Sequence, residues 1–358
     1  MICNSAKQGL IPQRDYFDKD IANSNNTSGY YIIEQNDFVY NPRKSSDAPY
    51  GPISRYDYEE TGIVSPLYLC FRAKENVDTN FFEWYFRSAA WHRYIYMTGD
   101  SGARHDRVSI KDDVFFSMPI CFPSADEQKK IASFLNAIER LIASQQLLVD
   151  SLKKYKRGLL HEILCEKTRV TKSAWNIHKI GDYLSSKNIK QLPAPDAPLM
   201  AFTATGGVCD KGERYDRAFL VKDASTKLYK RTDFNDFIYS SNNLDVGSIG
   251  LNLYGSAVIS GVYEVFSVSG ADPWFISEAI QQKPVLHRIL KYRQGCLYGQ
   301  YRIYADDFLE VPIRVPSLEI QKQIGTIFSG IEYRIKSEQT LLNYLKDAKK
   351  FFLQQLFI

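Results

Sequence analysis

The sequence predicts an α+β fold of two mixed α/β domains, each followed by a long helix, with the two helices pairing as an antiparallel coiled coil. Three observations predict it. The chain repeats itself, each repeat closes on roughly 40 residues of helical apolar spacing, and the residues ahead of each closing stretch read as short strands and helices between turns.

The repeat is clearest at the start of the closing stretch. Pro123, Ser124, Gln128, Lys129 and Ile131 recur 193 positions later as Pro316, Ser317, Gln321, Lys322 and Ile324. The register then holds: Ile138-Glu139 falls on Ile331-Glu332, Leu152-Lys153 on Leu345-Lys346, and Leu160 on Leu353. Upstream the match continues with small slips, as loops of unequal length produce. Met118-Pro119-Ile120 pairs with Val311-Pro312-Ile313, Asp112-Asp113-Val114 with Asp306-Asp307-Phe308, and Asp37-Phe38-Val39-Tyr40 with Asp236-Phe237-Ile238-Tyr239. So many ordered matches mark a tandem duplication, with domains expected at 1–122 and 167–315 and helices at 123–166 and 316–358.

Each helix carries a seam. Ile131, Leu135, Ile138, Ile142, Gln145, Val149, Leu152, Lys156, Leu159 and Ile163 step by four and three in alternation. Ile324, Phe328, Ile331, Ile335, Glu338, Leu342, Leu345, Lys349, Phe352 and Leu356 do the same. A sustained 3.5-residue spacing is the coiled-coil signature, because it keeps one row of side chains facing one partner helix. Ile131, Leu135, Ile138, Leu152, Leu159, Ile324, Phe328, Ile331, Leu345 and Phe352 are the candidate pairing and docking residues. Ser124 and Glu127 form an S-x-x-E capping box, and Ser317 takes the same cap position. A second row (Phe134, Leu141, Leu148 and Tyr155; Ile327, Leu341 and Ala348) widens the stripe beyond what one partner covers. It serves either the chain's own globular domains or another subunit.

In the globular parts, Tyr30 to Ile33, Asp37 to Tyr40 and Ile63 to Phe71 read as strands, and Asn80 to Tyr96 reads as an aromatic-rich helix. The second copy offers Phe237 to Tyr239, Ser256 to Val268 and a helix around Pro273 to Tyr292, with Pro193 to Pro198 as a rigid loop.

Composition narrows the function classes. Of 358 residues 44% are apolar and 24% charged, which is ordinary for a globular chain long enough for two cores. No run of 18 apolar residues exists and the N-terminus lacks a secretory pattern, so a cytoplasmic location without membrane contact is expected. Six cysteines stand singly with no CxxC, against both a disulfide framework and a zinc site. The net charge of +4 permits nucleic-acid binding without arguing for it. No phosphate-binding loop, HExxH or GxSxG motif is present, and no catalytic constellation recurs in both copies. Neither a metal nor a cofactor is expected.

The loops, by contrast, are basic and amide-rich. Arg43 and Lys44 follow the first DFVY strand, and Asn242 and Asn243 follow DFIY at the equivalent point. Arg104 and Arg107 precede the aspartate pair in the first copy, where the second has Tyr298, Gln300 and Arg302. Arginine and lysine reach guanine edges and phosphates, and amides reach adenine edges, so these nine are the candidate DNA-binding residues. Taken singly, each is equally consistent with an ordinary solvated loop. The scaffold repeats while the loops diverge, as two modules reading different half-sequences should.

At these residues the chain resembles the specificity subunits of type I restriction-modification enzymes. The resemblance rests on the recurring Pro, Gln and Ile that open each long helix and on LKKYKRGLL at 152–160. It extends to DFVYNPRK at 37–44, SGARHDR at 101–107 and WNIHKIG at 175–181. It implies two target-recognition domains, each reading half of a split sequence in double-stranded DNA, with the paired helices fixing the gap. It also implies docking of two modification subunits, which carry the S-adenosylmethionine chemistry, and of restriction subunits that hydrolyse ATP. None of that chemistry would belong to this chain, a non-catalytic subunit. Met1 aligns near Met200, so the first copy shows no counterpart of residues 175–199, and its domain is expected to be incomplete and the less stable. The competing reading is a coiled-coil interaction protein, or an inactive remnant of such a system, that does not bind DNA specifically.

Overall fold

A computed structural model describes residues 1–16, 27–99, 106–164, 175–204, 206–210, 227–242, 244, 247–297 and 300–357. The chain forms two compact units, Met1–Leu148 with Glu338–Ile358, and Val149–Ser337. Each long helix therefore begins in one unit and ends in the other.

The first unit contains β1 (Ile2–Ser5), β2 (Gly9–Pro12), α1 (Gln13–Tyr16), β3 (Tyr31–Ile33), β4 (Asp37–Tyr40), β5 (Ile53–Arg55), β6 (Gly62–Val64) and β7 (Leu69–Arg72). Then follow α2 (Thr79–Arg87), α3 (His92–Thr98), α4 (Asp112–Phe116) and the long α5 (Ala125–Leu164). Strands β1 and β2 form a hairpin, β3 pairs with β6, and β5-β4-β7 make an antiparallel sheet centred on β4. Phe38 and Tyr40 of β4 project onto Phe82, Phe86, Trp91 and Phe115, a packed aromatic core that accounts for much of the unusual Tyr and Phe content.

The second unit contains β8 (Asn176–Lys179), β9 (Leu184–Ser186), β10 (Lys190–Gln191), β11 (Ala201–Thr203), β12 (Gly207–Cys209), β13 (Tyr229–Thr232), β14 (Phe237–Ser240), β15 (Ile249–Leu251), β16 (Ala257–Ile259) and β17 (Tyr263–Val268). It continues with α6 (Pro273–Ile280), α7 (Lys283–Leu290), β18 (Gln294–Leu297), β19 (Gln300–Arg302), α8 (Ala305–Leu309), β20 (Pro312–Val315) and the second long helix, α9 (Leu318–Leu356). Its main sheet runs β15-β14-β17-β9, with β10-β13-β16 beside it and β8 paired to β20. Tyr239 stacks on Phe308 as Tyr40 stacks on Phe115. Asn36 and Asn235 both take positive φ, at 71° and 66°, in the turns that open β4 and β14. Asparagine tolerates this left-handed turn better than other non-glycine residues.

Five sequence expectations are corrected. The helix foreseen over Asn80 to Tyr96 is two, because the Ser88 hydroxyl donates to Tyr85 O and its N–H closes onto Trp84 O, ending α2. The helix around Pro273 to Tyr292 is also two, with Pro284 in the first turn of α7 supplying no N–H to continue α6. The stretches Ile63 to Phe71 and Ser256 to Val268 each turn once and yield two strands. Finally, Phe115, not Val114, is the counterpart of Phe308, so the 193-residue register runs unbroken through α4 and α8.

The motif glutamines have a structural task. Gln128 Oε1 accepts from the Asp78 N–H at 2.9 Å while its Nε2 donates to Pro123 O at 3.0 Å. Gln321 repeats this with Asp272 N–H and Pro316 O at 3.1 and 2.9 Å. Each buried glutamine ties the first turn of a long helix to the capping aspartate of α2 or α6. Ser124 and Glu127 make the expected capping box.

The helices pair antiparallel. In the first unit Glu139 of α5 meets Lys349 of α9, and Gln145 donates to Glu338. Leu135, Ile324 and Phe328 are buried along the seam, and the other seven singled-out seam residues are half-buried. The second row stays mostly exposed at Phe134, Leu141, Leu148, Tyr155, Ile327 and Leu341, so the domains of this chain do not consume it.

One ionic cluster anchors the second unit. Lys187 donates to both Asp233 and Asp236 at 2.7 Å, and Asp233 also accepts from Arg231 and Ser256. Burial pushes Asp233 up, but the bonds from Lys187, Arg231 and Ser256 prevail and hold its carboxyl well below the ordinary 3.8. A depressed carboxylate stabilises the fold above its unfolded pKa and loses that contribution as pH falls through the folded one. Asp233→Asn should therefore cost the second unit about 1 kcal/mol at pH 7, allowing for solvent screening. The gap to the parent should close as the pH falls below 3.8, as measured by urea denaturation across pH.

Candidate nucleic-acid interface

In each unit the loop after the central strand is zipped to the segment ahead of the short helix. In the first, Lys44 N–H donates to Asp106 O at 2.8 Å and Val108 N–H to Pro42 O at 2.9 Å, which brings Arg43 and Arg107 opposite each other as an antiparallel bridge. In the second, Ile303 N–H donates to Ser241 O at 2.9 Å, and Asn242 faces Arg302 in the equivalent bridge. The same backbone frame thus presents an Arg–Arg pair in one unit and an Asn–Arg pair in the other.

Local sequence sets this frame. Asn41 Oδ1 accepts from the Arg43 N–H, and its Nδ2 donates to Asn4 O. Gly51, at φ +83°, lies so close to Asn41 that a Cβ there would fall 2.1 Å from the Asn41 carbonyl, so only glycine lets the loop close.

The candidate side chains differ in their freedom. Arg43 is exposed and 3.7 Å from Asp106, a loose surface pair. Lys44 is half-buried. Arg107 has its Nε buried with no hydrogen-bond partner, at the wall of a cleft of about 750 Å³ that Tyr31, Tyr68, Ser109 and Phe116 also line. The residue lines the cleft, while this nitrogen itself is not exposed in it. Arg302 is the opposite case: it donates to Glu264 at 3.0 Å and lies over the Tyr304 ring at 5.0 Å, while Glu264 also holds Lys230 at 2.6 Å. Its charge is largely answered within the unit. Arg104, Asn243 and Tyr298 lie outside the described residues, and of Gln300 only the backbone, in β19, is described. Tyr68 and Ser109, which no local motif singles out, are brought to the cleft beside Arg107 only by the fold.

Among the described residues no group of three or more His, Cys, Asp or Glu could hold a metal ion. No helix among them is long and apolar enough to cross a membrane.

Each α/β unit carries the same loop frame with its own side chains. Comparison with known proteins identifies what the chain resembles. Residues 13–154 match the family model described as the type I restriction modification DNA specificity domain. The fold is shared with the type I restriction-modification S subunit from M. genitalium, at 14% identity and a TM-score of 0.57, covering 95% of this chain and 87% of that one. The HsdS subunit from Thermoanaerobacter tengcongensis is similar at 16% identity and a TM-score of 0.44, covering 91% of this chain and 81% of that one. No curated protein matches the sequence.

Proposed function

We propose that the chain is the DNA sequence-recognition subunit of a type I restriction-modification enzyme, reading a split duplex target through its two repeated units. The observation that carries this is the shared loop frame bearing different side chains, Arg43 with Arg107 and Asn242 with Arg302. A repeated frame with diverged contact residues is what reading two different half-sequences requires. The domain limits proposed are 1–122 and 167–315, with spacer helices at 123–166 and 316–358. Two modification subunits dock on the chain, the exposed second row of the helices being the face offered, and restriction subunits complete the enzyme. The chain itself performs no catalysis and works in the cytoplasm.

The direct test is modified-base sequencing of DNA from cells that co-express the chain with the modification subunit encoded beside it. A single split motif, methylated only when both are present, is expected. Absence of salt-dependent duplex binding, with no methylation, would instead leave a protein-interaction role. Within the target, Arg107→Ala should cost about 1–3 kcal/mol at one base position only, since its side chain lines a cleft. Arg43→Ala should weaken all sequences alike and flatten the salt dependence by about one unit, as a phosphate contact does. Unchanged affinity in both variants would remove these residues from the interface.

A further inference from the structure

The arginines that close the two loop frames, Arg107 and Arg302, are counterparts set in different surroundings. Strand register gives the difference residue by residue. Tyr239 of β14 faces Glu264 on β17, and the matching Tyr40 of β4 faces Leu69 on β7. Lys230 of β13 faces Ile259, and the matching residue of β3, facing Val64, is Tyr31. The Lys230–Glu264–Arg302 cluster of the second unit is thus Tyr31–Leu69–Arg107 in the first.

In the second unit both carboxylate oxygens of Glu264 are engaged. Lys230 donates to Oε2 at 2.6 Å from a side chain only 9% exposed. Arg302 donates to Oε1 at 3.0 Å from a side chain 46% exposed. The inner lysine fixes the carboxylate, and the carboxylate fixes one edge of the outer guanidinium. The Tyr304 ring lies against that guanidinium at 5.0 Å. A planar group held at one edge and over one face has its orientation set. Among the described residues, the bond to Glu264 uses one of the five N–H donors of Arg302.

Charge and geometry then act separately. The carboxylate offsets the charge that would draw Arg302 to any phosphate. A guanidinium fixed in its plane still suits the paired N7 and O6 acceptors of a guanine edge, and fixing it beforehand sharpens the choice of base. In the first unit Leu69 supplies no carboxylate to do this for Arg107.

We infer that Glu264, backed by Lys230, is a positioning residue that makes Arg302 the reader of a guanine in the half-site of the second unit. Glu264 acts through Arg302 and sets specificity at the expense of general affinity. This rests on the DNA-recognition reading.

The test uses the chain in complex with its modification subunits and a duplex library that varies every base pair of the split target. Binding is read at two salt concentrations. Glu264→Gln should lower discrimination on the order of tenfold at one G·C pair, the pair that Arg302→Ala also affects. Binding to all other duplexes should tighten, with a salt dependence steeper by up to about one unit, because the released arginine can reach phosphate. A merely structural Glu264 would instead weaken every sequence alike, and that result would overturn the inference. Because Glu264→Gln leaves the buried Lys230 without its carboxylate, a second variant joins Lys230→Tyr to Glu264→Leu and so copies the first unit. It should lose the same discrimination; retention there would assign the first result to the stranded lysine and overturn the inference. An affected pair other than G·C would overturn it too. A parent complex that selects no split sequence would remove the recognition reading and this role with it. A selective parent with both variants unchanged would remove this role alone.

Discussion

Replacing Lys156 by methionine is expected to destabilise the second unit by about 3 kcal/mol, the low end for leaving a buried charge without its partner. Lys156 sits on the seam of α5, mostly buried, 2.6 Å from Glu278 of α6 and 2.9 Å from Glu332 of α9. Methionine keeps the length of the side chain and strands two carboxylates, of which Glu278 is the buried one. Burial pushes the lysine pKa down, but attraction to Glu278 and Glu332 more than offsets it and leaves it above the ordinary 10.5. A raised amine contributes fully below its unfolded pKa and loses that contribution as pH rises through the folded one. The deficit should therefore persist from neutral pH to about 10 and close only above it. Lys156→Met with Glu278→Met should recover much of the loss, since an apolar pair of similar volume replaces an ion pair at little cost. The equivalent lysine of the first unit gives the internal control. Lys349 lies over the Trp84 ring at 5.2 Å and pairs with a single, partly exposed Glu139, and Trp84 stands where the second unit has Glu278. Lys349→Met should cost only about 1 kcal/mol. Urea denaturation with hydrogen exchange to assign each transition separates the two. Equal losses would show that the Glu278 pairing adds nothing.

What the sequence disclosed and what it hid follow the same division between local and non-local physics. The duplication and the two long helices were legible because a 3.5-residue spacing over ten positions has no other geometric solution, and Ser124 with Glu127 marks a helix start by local hydrogen bonding. The loop positions 43, 107, 242 and 302 were legible as candidates, and the fold brings them together in pairs. Their freedom was not legible. Nothing near Arg302 in sequence announces that Glu264, 38 residues earlier, holds its guanidinium, or that the buried Nε of Arg107 has no hydrogen-bond partner among the described residues. The role of Gln128 and Gln321 was equally hidden: the motif was visible, but its meaning lies in the N–H groups of Asp78 and Asp272, about 50 residues away. The helix breaks at Ser88 and Pro284 were lost because the apolar spacing on either side continues as though one helix ran through. The exposure of the second apolar row could be decided only by the packing of the whole domain.

The seam itself yields the other large effect. Phe328→Ala should cost about 3–5 kcal/mol, against about 2–4 for Leu135→Ala at the equivalent position of the first copy. Both side chains are fully buried, but they are shared differently. Phe328 belongs to the larger core, with Phe275, Ile276, Ile324 and Val315, so its removal opens a cavity between a helix and a globular domain at once. Leu135 fills a smaller volume in a cluster with Ala132, Phe81 and Tyr85, Phe352 of α9 and the following Phe357. The aromatic cluster that remains after Leu135→Ala can relax, whereas α6, in one cluster with Phe328, is held by the Asp272 cap. A second consequence discriminates packing from pairing. If the long helices serve as a rigid spacer between two half-site readers, Phe328→Ala should broaden the spacing tolerated between half-sites in a library of split targets, beyond lowering stability. A loss of stability with the tolerated spacing unchanged would assign Phe328 to the second domain's core alone and leave the spacing to the rest of the seam.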